Sequence, residues 1–212
     1  MLMRQGQMIK AVSGRGAGAA FAIALILSAC APNVKIGAFA FYTPPAATTA
    51  REPIEITANT GRQALDIVAK TLRADGARIT AKSTRHLTIE GKDTRNDRVA
   101  CGTITQSAPE GRSTFAANAE RAVLFDAGAP GGIKFRLVDV ETRFRLTMSR
   151  PVNGVSTGAL AQTHRVTIRT TTADQRKLLS SQTLTFAPGA RATFDDGTVC
   201  VSSGQLRKVL AR

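Results

Sequence analysis

Arg143-Phe144-Arg145-Leu146-Thr147-Met148 sets an apolar side chain at every second position, with Arg, Arg and Thr between them. A period of two puts Phe144, Leu146 and Met148 on one face of a strand, and Arg143 and Arg145 on the other. Further along, Arg165-Val166-Thr167-Ile168-Arg169 repeats the pattern, and Leu184 and Phe186 continue it. The threonines in these stretches suit a pleated, half-buried surface. Asp195-Asp196-Gly197, between Phe194 and Val199, is a hairpin signal, while Pro130-Gly131-Gly132 and Asn153-Gly154 read as turns. Residues 113–201 are therefore expected to be mostly β. Around Leu137-Val138 the alternation changes phase: Phe135 and Leu137 point one way, Val138 and Val140 the other. That shift predicts a bulge or bend.

Upstream, residues 53–108 carry a β-α-β-β pattern. Ile54 and Ile56 alternate in a short strand. Thr60 and Gln63 fit a capping box, and Leu65, Val68, Ala69 and Leu72 follow at helical spacing. Asp66 and Lys70 suit an i,i+4 pair, and Gly76 stands where a helix cap is expected. Ile79 with Ala81, and Leu87 with Ile89, read as two strands around a Ser83-Thr84 turn, and Val99 to Thr105 reads as one further strand carrying Cys101. Residues 202–211 predict a short C-terminal helix, with Ser202 and Gln205 as a second capping box and Leu206, Val209 and Leu210 on one face. The fold class expected is α+β: a β-α-β-β part over 53–108, then a mainly antiparallel β part with a C-terminal helix over 109–212, the two able to form one continuous domain. No internal repeat is present. The element order over 53–108 resembles the small periplasmic α/β modules at the N-termini of secretins and in related secretion-system lipoproteins, a resemblance that implies assembly with other proteins.

At the N-terminus, Arg4, Lys10 and Arg15 form a positive segment with no acid, followed by an apolar run from Ala17 to Leu27 and then Leu27-Ser28-Ala29-Cys30. That tetrad resembles the lipobox of bacterial lipoproteins. The resemblance implies a signal peptide over 1–29, lipidation of Cys30 and a membrane as partner. An uncleaved anchor with an incidental cysteine is the alternative, and Met3 or Met8 could equally serve as the start. Ala31, where an Asp would signal inner-membrane retention, implies an outer-membrane, periplasm-facing location. Residues 30–52 would be the lipidated Cys30 and a tether containing Pro32, Pro44 and Pro45. Within it, Ala38-Phe39-Ala40-Phe41-Tyr42 reads either as an edge strand on the chain's own sheet or as a docking segment for a partner.

Processing at Cys30 would remove three basic residues and no acid, so the 29 Lys+Arg of the whole chain become 26 against 15 Asp+Glu. Such a balance suits anionic lipid, lipopolysaccharide or an acidic envelope protein, or else it is dispersed solvated charge. Nucleic acid is not expected as a partner, because the resemblance implies export and the chain lacks a stacking platform, with no Trp and one Tyr. With Cys30 lipidated, Cys101 and Cys200 remain as an even pair and are expected to form a disulfide. His86 and His164 lack the spacing of metal ligands, so neither a metal nor a cofactor is expected. His164 reads as a core-edge or surface residue and His86 as the start of a strand, so no base stands ready beside a nucleophile. Asp195-Asp196 belongs to its turn, and the glycines from Gly14 to Gly18 fall in the signal.

Arg143, Arg145, Arg165 and Arg169 would form one basic face if their strands pair. Glu or Asp from neighbouring strands would neutralise that face, or it would stay open to an anionic partner. Three functions follow. The first is a non-enzymatic, lipid-anchored accessory or adaptor of an outer-membrane or secretion assembly. The second is a binder of an anionic envelope component such as lipopolysaccharide, and the third is a periplasmic hydrolase or hydrolase inhibitor.

Overall fold

The structure, a computed structural model, describes residues 34–35, 40–46, 53–108, 111–125 and 132–211. The signal segment, Cys30, Ala31 and Ala38-Phe39 lie outside the described residues. Along the chain, β1 (Val34–Lys35), β2 (Ala40–Thr43) and β3 (Ile54–Thr57) precede the helix α1 (Gly61–Ala74). Then come β4 (Arg78–Ser83), β5 (Thr88–Asp93), a 3-10 turn over Asn96–Arg98, β6 (Val99–Ala100), β7 (Thr103–Ala108), β8 (Gly111–Ala116) and β9 (Arg121–Phe125). The long strands β10 (Ile133–Met148) and β11 (Val155–Thr172) lead to β12 (Leu178–Phe186), β13 (Ala192–Thr193), β14 (Val199–Ser202) and the helix α2 (Gln205–Leu210).

The alternation around Phe144 builds the centre of the molecule. β10 and β11 pair antiparallel from Lys134↔Thr172 to Met148↔Gly158. The link between them is Asn153-Gly154, both at positive φ (51° and 77°), as a tight hairpin turn of matching twist requires. The main sheet runs β12-β11-β10-β5-β4, with β3 added to β11 and β9 to β10. Strands on both sides of residue 108 thus share this sheet, and the described residues fall in one compact unit. A second sheet has the order β1-β2-β7-β8, and a third β13-β14-β6. Among the described residues every strand pair is antiparallel.

Helix α1 covers one end of the main sheet. Its cap forms as expected: Thr60 Oγ1 accepts from Gln63 N at 3.1 Å, while Gln63 Oε1 accepts from Asn59 N at 2.8 Å. Leu65, Val68 and Leu72 pack with Ile54, Ile89, Phe144, Leu146, Met148 and with Leu206 and Leu210 of α2. Gly76, at φ 88°, ends α1 and lets Ala77 N reach Leu72 O at 2.9 Å. Farther along the same sheet, Val138, Val140, Val166, Ile168 and Phe186 pack with Tyr42, Ile104 and Phe194 in a second apolar cluster. Burying one such side chain contributes roughly 1.5–3 kcal/mol.

Several local expectations are corrected. The strand–helix–strand–strand order holds from Ile54 to Asp93, but β3 pairs with β11 and not with β4 or β5. Val99 to Thr105 is not one strand: the chain breaks between β6 and β7 at Gly102, whose φ is 77°. A Cβ there would stand 2.0 Å from Thr43 O, so only glycine lets β2 come so close. Leu87 and His86 lie in the turn between β4 and β5, with Leu87 at φ 49°. Asp66 pairs with Lys82, not with Lys70. Ser202 belongs to β14, and α2 starts after Gly204 with no side-chain cap. The register of β10 runs unbroken through Leu137-Val138, because the side chain that fills the inward position there is Arg136. Phe135 stays on the other face, where the Arg121 guanidinium lies 4.1 Å above its ring. Ala40–Tyr42 does join the chain's own sheet, pairing with β7, but not as its edge, since β1 lies on the other side of β2.

Candidate functional site

The face of the main sheet turned away from α1 holds the arginines singled out by periodicity. The pairing of β10 with β11 sets Arg143 opposite Thr163, Arg145 opposite Ala161, Glu141 opposite Arg165 and Leu137 opposite Arg169. All four arginines therefore share one face, and carboxylates are interleaved with them. Arg143 Nε donates to Glu141 Oε1 at 2.8 Å, Arg145 Nε lies 3.4 Å from Glu90 Oε1, and Arg169 Nη2 bonds Asp139 Oδ2. Glu141 is held below the usual carboxylate range by the Arg143 hydrogen bond, with Lys92 and Arg165 adding to it.

A second set of cations, overlapping the first at Arg143, stands abreast across the strands. β4 places Arg78 opposite Lys92 of β5, and β5 places Lys92 opposite Arg143 of β10. Arg78, Lys92 and Arg143 thus form one row across three adjacent strands. Lys92 and Arg143 of this row line a groove of about 480 Å³ together with Thr80, Glu90, Arg145 and Thr163. On the opposite, core face of the sheet Gly91 stands directly opposite Phe144: a Cβ on Gly91 would come 2.5 Å from Phe144 Cζ, so the buried ring packs over the bare backbone beneath the groove.

Beneath this face lie three buried polar assemblies. Arg98, 1% exposed, donates from Nε to Asp93 Oδ2 at 2.7 Å and from Nη2 to Asp75 Oδ2. Arg95 Nη2 reaches the same Asp75 oxygen at 2.6 Å. This network fastens the end of α1 to the 3-10 turn. Arg136 donates to Ala117 O and, at 3.0 Å, to Thr198 Oγ1, with Asp196 at 3.4 Å. Burial pulls its pKa down, and Asp196 opposes that. His164 is fully buried rather than at the core edge. Its Nδ1 lies 2.9 Å from Thr142 Oγ1 and its ring 5.3 Å from Phe186. Burial lowers its pKa to about 4, so the imidazole is neutral near pH 7. Neither His164 nor Thr142 can meet a substrate unless the sheet opens.

Cys101 and Cys200 form a disulfide, with their Cα atoms 4.1 Å apart. Both are fully buried in the second apolar cluster. Among the described residues no group of three or more His, Cys, Asp or Glu is placed to hold a metal. Sequence reasoning missed Arg78, Lys92, Arg98 and Arg136. The alternation of Ile89 and Gly91 against Glu90 and Lys92 carried a signal for the second of these, but the partners of Lys92 depend on register across three strands. Comparison with protein-family models, with curated proteins and with solved structures finds no match for this chain.

Proposed function

We propose that the chain is a lipid-anchored protein of the bacterial cell envelope, facing the periplasm from the outer membrane, and that it serves without catalysis as an accessory or adaptor of an outer-membrane or secretion assembly. The observation that carries this reading is the tetrad Leu27-Ser28-Ala29-Cys30 behind a basic segment and an apolar run. The disulfide supports it, because such bridges persist in oxidising compartments and are rare in the cytosol. Ala31 supports the outer membrane, and the strand–helix–strand–strand order of residues 54–93 supports the likeness to secretion-system modules. A hydrolase would need His164 beside a carboxylate in an open pocket, and its buried ring gives that reading no support.

The test is metabolic labelling with a palmitate analogue, combined with intact mass of the membrane-extracted chain. The expected product begins at Cys30 and carries acyl mass, and Cys30→Ser abolishes both labelling and processing. Normal processing and membrane location of Cys30→Ser would overturn the anchor. Cross-linking and pull-down from detergent-solubilised envelope then tests the adaptor role, with discrete protein neighbours expected. Recovery of glycolipid alone would favour the reading as a binder of anionic envelope components.

A further inference from the structure

We propose that the row Arg78–Lys92–Arg143, with Arg145 beside it, is a docking face for the phosphate groups of an anionic phospholipid surface. Neighbouring strands stand about 4.8 Å apart, so three cations on consecutive strands fall within roughly 10 Å of one another. Like charges directly opposite one another destabilise a sheet. This sheet carries two such pairs in succession, Arg78↔Lys92 and Lys92↔Arg143. The carboxylates nearby are already engaged. Glu141 answers to Arg143, Lys92 and Arg165 together, and Glu90 is paired with Arg145. The register thus places six basic side chains on this face, Arg78, Lys92, Arg143, Arg145, Arg165 and Arg169, with Glu90, Asp139 and Glu141 among them.

The rest of the groove selects the kind of partner. Protein interfaces are anchored by aromatic and aliphatic side chains that enter pockets. Here the lining beyond the charges is Thr80, Ala161, Gln162 and Thr163, and the ring of Phe144 is buried. A surface that offers positive charge and hydroxyls but no apolar anchor fits a layer of phosphates. Arg supplies forked donors to phosphate oxygens and Lys a point charge. The inference rests on the envelope reading only for which membrane would be met; binding itself is testable without it.

Partition of the full chain is measured on phosphatidylcholine vesicles and on phosphatidylcholine vesicles containing phosphatidylglycerol. Any N-terminal anchor contributes to both, so the anionic-to-neutral ratio isolates the face. Arg78→Gln/Lys92→Gln/Arg143→Gln is expected to lower that ratio on the order of 100-fold, and Lys92→Gln alone about fivefold, the factor one basic residue near an anionic leaflet contributes. Both variants should melt at or above the wild-type temperature, because repulsion is relieved. The control Arg112→Gln/Lys177→Gln/Arg191→Gln removes equal charge from exposed positions off this face. An equal drop in the control, an unchanged ratio in the row variants, or a lost ratio in Lys92→Gln that comes with a lost melting transition overturns the proposal. Failure of the anchor reading looks different: Cys30→Ser would then leave binding to neutral vesicles unaltered.

Discussion

His164 shows what a single buried side chain does to stability. In the unfolded chain a histidine titrates near 6.5, whereas here burial lowers the value to about 4. Above pH 6.5 both states are neutral and the folded state keeps its full stability. As pH falls from 6.5 towards 4, only the unfolded chain takes up the proton, so stability falls by about 3 kcal/mol and then levels off. Asp66, Glu141 and Asp174, whose pKa values are lowered, withdraw their contributions at more acidic pH. Wild type should therefore lose melting temperature between pH 6.5 and 4, while His164→Gln keeps nearly the same value across that window. Parallel curves for the two proteins would show that His164 is not the group responsible. Arg136 makes a second case. Replacing it with Ala leaves Ala117 O and the buried Thr198 hydroxyl without their donor, while the partly exposed Asp196 stays solvated, and urea unfolding should register a loss of about 1–3 kcal/mol. Periodicity could not place either residue inside, because alternation sorts side chains by polarity and both are polar. Only the register shows that Arg136 and His164 take inward positions beside Val138 and Val166.

At the level of the element, what was legible in the sequence and what was not divides on range. Thr60, Gln63 and Gly76 act within one turn of α1, and so the helix follows from local chemistry. The hairpin around Asn153-Gly154 is likewise local. The pairing of Ile54–Thr57 with Val155–Gly158 is not, since about a hundred residues separate the two segments and neither names the other. The basic row is a register effect of the same kind: Arg78, Lys92 and Arg143 meet only because β4, β5 and β10 lie side by side. Val99 to Thr105 misled because its apolar spacing reads as one strand, while Gly102 turns the chain between two sheets. Gly102→Ala combines a positive φ with a clash against Thr43 O, and is expected to cost about 2–3 kcal/mol. Gly91→Ala meets Phe144 Cζ at 2.5 Å and Arg78 O at 2.6 Å, an overpacking cost of about 1–3 kcal/mol. Chemical denaturation reads both. A Gly91→Ala protein as stable as wild type would mean that the Phe144 ring has room to move aside.

For the molecule as a whole, the decisive constraint is the bond between Cys101 and Cys200. It joins β14 to the segment just after β6 across a sequence separation of 99 residues, enclosing the whole β10–β11 hairpin and β12. Around it, Val201 pairs with Ala100, and the Tyr42 hydroxyl both accepts from Val199 N at 2.8 Å and donates to Val199 O at 2.9 Å. Beyond β14 the chain enters α2, whose Leu206 and Leu210 pack in the cluster under α1. The bridge therefore links the two apolar clusters through one short strand. Closing a loop of that length removes unfolded-state entropy worth about 4–5 kcal/mol in the chain-entropy model. For a chain of this size that corresponds to a melting temperature lower by roughly 10–20 °C when the bond is absent. Cys101→Ala/Cys200→Ala should show that fall, and its denaturant slope should rise, because the unfolded chain no longer carries a covalent loop and exposes more surface. Reduction of the wild-type chain should reproduce the shift only once the buried sulfurs become accessible. A double variant melting within a few degrees of wild type would mean that the sheet pairings and the Tyr42 contacts already hold β14 in place, leaving the disulfide a bystander to the stability of the fold.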